Sequence, residues 1–175
     1  FPQYLPVLRN RKETFEVFNI TGYLDEANSR RPPKELEPVY RTGGAILYRT
    51  PSRGYWDVIS ISKVGKTLNE EEWLTGIQDW FLTSGPKERV YPGLIPEKVA
   101  QAWKSAIPEP TVSLGALLKH EALKNGKASA SFEITSPRGY GLLRIGYHPR
   151  WEIKVDGKPV ETKWVGPAHI GFLMT

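Results

Sequence analysis

The chain has 175 residues, of which 39% are hydrophobic and 25% charged, so it is long enough to bury a core and too apolar for wholesale disorder. Its net charge of +5 is interspersed with acids, and its one tight basic cluster, Arg30-Arg31-Pro32-Pro33-Lys34, lacks the one-sided basic stripe and stacking aromatics of a nucleic-acid surface. The absence of Cys excludes a disulfide framework, a thiolate nucleophile and a thiolate metal site.

Sixteen Gly and fifteen Pro are costly inside helices and lean the composition towards short strands joined by turns. Phe15-Glu-Val-Phe-Asn-Ile20 alternates in its first residues and predicts a half-buried strand before Gly22. A charged, Pro-rich loop follows to Lys34. Pro38-Val-Tyr-Arg41, Gly43-Gly44 and Ala45-Ile-Leu-Tyr48 then read as a hairpin, and Tyr55 to Val64 as a further strand.

A helix begins after Asn69, an N-cap with Glu72 in capping-box position and Glu70 and Glu71 in the first turn. Trp73, Ile77, Trp80 and Phe81 form its apolar stripe, which ends before Ser84-Gly85-Pro86. Pro96 opens a second, shorter helix over Glu97 to Ala106, with Val99 and Trp103 on its buried side.

Pro108-Glu-Pro110 reads as a joint between lobes 1–108 and 109–175, unless the two form one continuous domain. Beyond it, Thr111 to Leu123 and Lys127 to Thr135 form a hairpin about Asn125-Gly126, with Ala128, Ala130, Phe132 and Ile134 alternating. Tyr140 to Tyr147 is another strand. Trp151, Ile153 and Val155 alternate before an Asp156-Gly157 turn, Val160 to Val165 returns antiparallel, and Ala168 to Met174 gives a last apolar run. The expected architecture is α+β: a smaller mixed α/β N-terminal lobe and a C-terminal antiparallel β-sandwich of jelly-roll or immunoglobulin-like kind.

Signatures of catalysis are missing. No Gly-x-Ser-x-Gly elbow, Walker loop or Gly-x-Gly-x-x-Gly occurs. His120, His148 and His169 lie too far apart in sequence for a readable zinc site, so no metal or cofactor is expected. Glu133, Glu152 and Asp156 are isolated carboxylates, the last explained by its turn. Asn19-Ile20-Thr21 is an N-glycosylation acceptor triplet, relevant only where the chain meets an oligosaccharyltransferase. The chain begins at Phe1 and holds no run of about 18 apolar residues, which reads as a segment excised from something longer.

Four segments of the last third carry a resemblance: Phe132 to Ser136, Gly141 to Trp151 with its Tyr147-His-Pro-Arg-Trp151, Val155-Asp-Gly-Lys-Pro-Val160, and Gly166 to Thr175. They resemble the extracytoplasmic C-terminal domain of YfhO-type multi-pass membrane proteins. They are also similar to the membrane proteins labelled "6-pyruvoyl-tetrahydropterin synthase-related", which in turn resemble GT-C glycosyltransferases that use lipid-linked sugars. True pterin synthases bind zinc through closely spaced His that this chain lacks.

The resemblance implies structural roles: Pro149 fixes the chain, Trp151 starts a buried face and Asp156-Gly157 reverses it. It also implies a further strand and a membrane helix after the position of Thr175. Catalytic carboxylates of such glycosyltransferases lie between membrane helices elsewhere, so no residue here inherits that role. The expected protein is therefore a soluble domain on the extracytoplasmic face of the membrane, non-catalytic by itself. Its partners would be its parent's own transmembrane region and a lipid-linked sugar or glycan, not nucleic acid. The rival is a carbohydrate-binding β-sandwich module in which exposed Trp56, Trp103 or Trp164 stack on sugar rings; an independent soluble hydrolase is a third reading.

Overall fold

The computed structural model describes residues 12–29, 36–50, 53–62, 66–102, 108, 116–125, 127–135, 139–148 and 150–174. The chain divides into two compact units, 1–53 and 54–175. The joint expected near Pro108 thus falls inside the second unit.

In the first unit, Lys12–Val17 is a helix (α1), not the strand that its alternation predicts. The end of the segment explains the difference. Asn19 adopts a left-handed φ of 51°, its N–H donates to the Glu16 carbonyl, and the Ile20 N–H reaches back to the Phe15 carbonyl. This is a Schellman closure with Asn in the place usually taken by Gly, and Ile20 and Phe15 join the same apolar cluster. Glu16 is buried and paired with Arg53 at 2.5 Å. Strands β1 (Gly22–Glu26), β2 (Glu37–Arg41) and β3 (Ala45–Arg49) form an antiparallel sheet in the order β1-β3-β2. The hairpin about Gly43-Gly44 is present, with a register shift between Pro38 and Tyr40. Phe15, Leu36, Ile46 and Tyr48 make the core of this unit.

The second unit is organised by β4 (Trp56–Ile61), buried along its whole length. A strand covered on both faces is mostly apolar, as Trp56, Val58, Ile59 and Ile61 show, with buried Asp57 and Ser60 between them. After β5 (Lys66–Leu68) comes helix α2 (Glu70–Phe81), capped as expected: the Asn69 side chain accepts the Glu72 N–H at 2.9 Å. Trp73, Ile77, Trp80 and Phe81 are its buried residues. The short helix α3 (Gly85–Glu88) follows, and Trp80 Nε1 donates to the Val90 carbonyl at 2.8 Å. Strands β6 (Val90–Tyr91) and β7 (Leu94–Pro96) pair in parallel with β4 and β5. Parallel neighbours need a crossover, and α2 lies within it. Helix α4 (Glu97–Ala102) buries no residue within those bounds, and Trp103 lies outside the described residues.

Beyond Pro108 the expected hairpin is present as β8 (Ala116–Lys124) and β9 (Lys127–Ile134), with Asn125 at φ 53° and an irregularity between Leu118 and His120. Strand β10 (Gly139–Leu143) stops short of Tyr147. The predicted return over Val160 to Val165 is split: β11 (Ile153–Val155) and β12 (Lys158–Val160) form one small hairpin, and β13 (Thr162–Val165) turns into β14 (His169–Met174). The largest sheet runs β13-β14-β10-β4-β6. Residues from before and after Pro108 are therefore hydrogen-bonded within one sheet.

This sheet is α+β in setting. On one side Trp73 of α2 meets Trp164 of β13 edge to face, with ring centroids 6.3 Å apart. On the other, Trp56, Val58, Leu143, Ile170, Phe172 and Met174 form a cluster against which Leu118, Ala128, Ala130, Phe132, Val155 and Val160 of the two hairpins pack. The Glu121 carboxylate accepts the Trp56 N–H at 3.1 Å, tying β8 to β4. Close approach is built into the sheet by glycine: a Cβ on Gly141 would lie 2.2 Å from the Phe172 ring across the β10–β14 pairing.

Candidate functional site: a cleft beneath two hairpins

The side chains that β9 turns inward begin with Ala128 and Ala130 and only then become bulky at Phe132. Two methyl groups do not fill the space that Leu or Phe would, and a gap remains over the sheet. The β11–β12 hairpin bounds it on another side. Its turn is tight because Asp156 and Gly157 both take positive φ, 50° and 79°, as a two-residue hairpin turn requires. The resulting open cleft measures about 630 Å³ and is lined by Trp56, Phe132, Leu143, Phe172 and Met174 along its base. Lys127, Ser129 and Ser131 of β9 also line it through the strand that carries them, their side chains alternating to the opposite face, and Glu152, Lys154 and Asp156 line it on the hairpin side. Glu152 and Lys154 are paired at 2.9 Å.

Trp151 also lines the cleft and is 43% exposed. This corrects the expectation that it starts a buried face. The backbone explains why: the Trp151 N–H closes a turn onto the His148 carbonyl at 3.0 Å, so pairing begins only at Ile153, and Ile153 takes the buried position. The alternation Trp151, Ile153, Val155 is present in the sequence but its first member precedes the strand.

The tryptophans nominated from sequence for glycan contact sit differently. Trp56 is 6% exposed and held edge to face between Phe132 and Phe172, at centroid distances of 6.3 and 5.9 Å, so it meets the cleft from below. Trp164 is 9% exposed and lies between Trp73 and Tyr147, at 6.3 and 5.6 Å, away from the cleft. Burial beside Trp164 also pushes the Tyr147 hydroxyl above its ordinary pKa, against a lowering contribution from its hydrogen bond with Thr162. Trp103 lies outside the described residues. Asn19 is half-buried at the C-terminus of α1.

The histidines are not brought together: His120 is on exposed β8, His148 accepts the Arg150 N–H through Nδ1, and His169 is buried on β14. Among the described residues no cluster of three or more His, Asp or Glu side chains suited to a metal ion occurs. Of the isolated carboxylates, Glu133 is paired to Lys119 at 2.5 Å on the hairpin, while Glu152 and Asp156 both line the cleft. Hydrogen bonding and charge from Lys119 hold the Glu133 carboxyl below the usual carboxylate range.

Sequence reasoning missed a buried ionic cluster at the start of β4. The Arg144 side chain is 0% exposed and donates to the Asp57 carboxylate and to the Gly54 carbonyl at 2.8 Å, while Arg89 reaches the other Asp57 oxygen at 3.2 Å. Its chemistry is structural: it satisfies the backbone where the chain enters the sheet.

Compared with protein-family models, curated proteins and solved structures, the chain has no match. No helix among the described residues is long and apolar enough to cross a membrane. What the geometry offers is an open cleft with a largely apolar base and one exposed indole at its lining.

Proposed function

We propose that this chain is a non-catalytic outer-face domain of a multi-pass membrane protein of the YfhO and GT-C-like type, docked on its parent's transmembrane region and presenting its cleft to a lipid-linked sugar or glycan. One observation carries the reading. Two of the segments that resemble those proteins, Gly141 to Trp151 and Val155 to Val160, are spent on structure: a turn at Trp151, the Ile153–Val155 and Lys158–Val160 strands on either side of the Asp156-Gly157 reversal, with Trp151 and residues 153–156 lining the cleft. Packing of the two hairpins on the five-stranded sheet supports, at finer grain, a β-sandwich description of this unit.

Topology tests the proposal. The chain has no Cys, so a single His120→Cys substitution on exposed β8 in the full-length parent gives one labelling site within it. Labelling by a membrane-impermeant maleimide in intact cells is the expected result, together with a block of hydrophobic spans in the complete reading frame. Labelling only after lysis, or a reading frame without such spans, overturns the proposal.

Exposure of Trp151 at the lining of the cleft favours a second reading, a carbohydrate-binding module. On that reading a glycan array gives hits that Trp151→Ala abolishes, whatever the topology.

A further inference from the structure

We infer that Asp156 is a site of covalent change in the folded chain, where it isomerises to isoaspartate through the nitrogen of Gly157. The change belongs to the turn between β11 and β12 and holds whatever the function proposed above.

The chemistry needs a carboxyl one residue ahead of an unencumbered main-chain nitrogen. The Gly157 nitrogen attacks Cγ of the protonated Asp156 carboxyl, the Cγ–O bond breaks, and the N–H proton leaves with the hydroxyl as water, closing a succinimide. Water then opens the ring at one of its two carbonyls. Addition at Cγ restores Asp156. Addition at the main-chain carbonyl breaks its bond to the Gly157 nitrogen and leaves the chain running through the side chain. Water is lost and regained, no other co-reactant enters, and the mass is unchanged.

Asp156 meets these needs and the other aspartates do not. Of the four Asp in the sequence it alone is followed by Gly, which has no Cβ to crowd the nitrogen. The ladder closes at Val155 opposite Lys158, so the turn holds just these two residues, and both are exposed. A Cβ on Gly157 would meet nothing within 4 Å, and among the described residues nothing accepts the Gly157 N–H. Asp25 and Asp57 lie in β1 and β4, where the next N–H, of Glu26 or Val58, already donates to the carboxylate at 3.0 or 2.9 Å. Arg144 and Arg89 hold Asp57 further. Asp79 is inside α2, whose ladder takes up the N–H of Trp80.

Isoaspartate lengthens the main chain of a turn whose left-handed residues, at φ 50° and 79°, match the strands as they stand. The closing pair of Val155 and Lys158 is expected to be lost first, and with it the fit of Ile153, Val155 and Val160 against the core cluster.

Prolonged incubation of the native full chain at mildly acidic pH, then digestion by a protease that cuts after Glu, tests this. The fragment 153–161, bounded by Glu152 and Glu161, is expected to divide into two chromatographic peaks of equal mass. The new peak is expected to resist a protease that cuts before Asp and to accept a methyl group from a protein-isoaspartate methyltransferase, while fragments holding Asp25, Asp57 and Asp79 stay single. Gly157→Ala is expected to abolish the new peak. If that variant does not fold, Asp156→Asn decides: Asn tolerates a left-handed turn, keeps the same nitrogen in play and is expected to convert faster, with ammonia leaving in place of water. A fragment 153–161 that stays single in the native chain, whether or not it divides in urea, overturns the inference, as does a native Asp156→Asn variant that does not convert or equal conversion at the other aspartates.

Discussion

Arg144 and Asp57 show how one residue pair governs the end of two interior strands, β10 and β4. With Arg144 fully buried and Asp57 4% exposed, removing the cation leaves a carboxylate that Arg89 alone must compensate. Arg144→Ala is expected to lower unfolding free energy by about 3–5 kcal/mol in denaturant titrations, whereas Arg144→Met combined with Asp57→Leu costs less because no charge is stranded. Glu133 gives a pH-dependent counterpart on the exposed hairpin. Its folded pKa is lowered by Lys119, so its contribution to stability is complete above the unfolded value and is lost as pH falls through the folded one. Lys119→Ala is expected to raise the Glu133 carboxyl pKa in an NMR titration. At this scale the sequence was legible where a residue's local chemistry dominates, as at the Asp156-Gly157 turn. It was not legible where position in the fold decides: nothing beside Arg144 in the chain reveals that its partner is Asp57, and nothing in the period-two pattern reveals that Trp151 precedes its strand.

Elements with strong end signals formed where the sequence places them. Helix α2 is the clearest, since Asn69, the acidic first turn and the Trp73, Ile77, Trp80, Phe81 stripe all agree. Asn69→Ala, which removes the acceptor for the Glu72 N–H, is expected to cost about 1 kcal/mol in thermal or denaturant unfolding. The β8–β9 hairpin and the reversal at Asp156-Gly157 were legible for the same reason, through residues in left-handed turn conformations, although the arm that returns is Lys158–Val160 and not Val160 to Val165. Segment Phe15 to Ile20 failed the test because six residues hold both a period-two pattern and a helix that ends on Asn19, and only the closing hydrogen bonds choose between them. The candidate cleft was half legible: the alternation of Ala128, Ala130 and Phe132 identified the inward face, but that two alanines on it leave a gap depends on what lies opposite.

Across the whole second unit, strand order overrides sequence order. The β4 strand lies between β10 and β6, and β10 lies beside β14, so the stretch after Pro108 lacks one flank of its own sheet. A fragment of residues 109–175 is expected to give a poorly dispersed NMR spectrum and no cooperative melt, while residues 54–175, which form one compact unit, are expected to give both. A cooperative melt by the shorter fragment would show that the sheet does not need β4. The placement of β4 also sets a delay during synthesis. Roughly 80 residues separate its end from the start of β10, so at about 5–20 residues per second a translating ribosome leaves that edge without its neighbour for about 4–16 seconds. Until β8 and β9 emerge, late in that interval, Trp56 and Val58 also have no hairpin above them, and whatever shields a nascent apolar strand in the cell must act then.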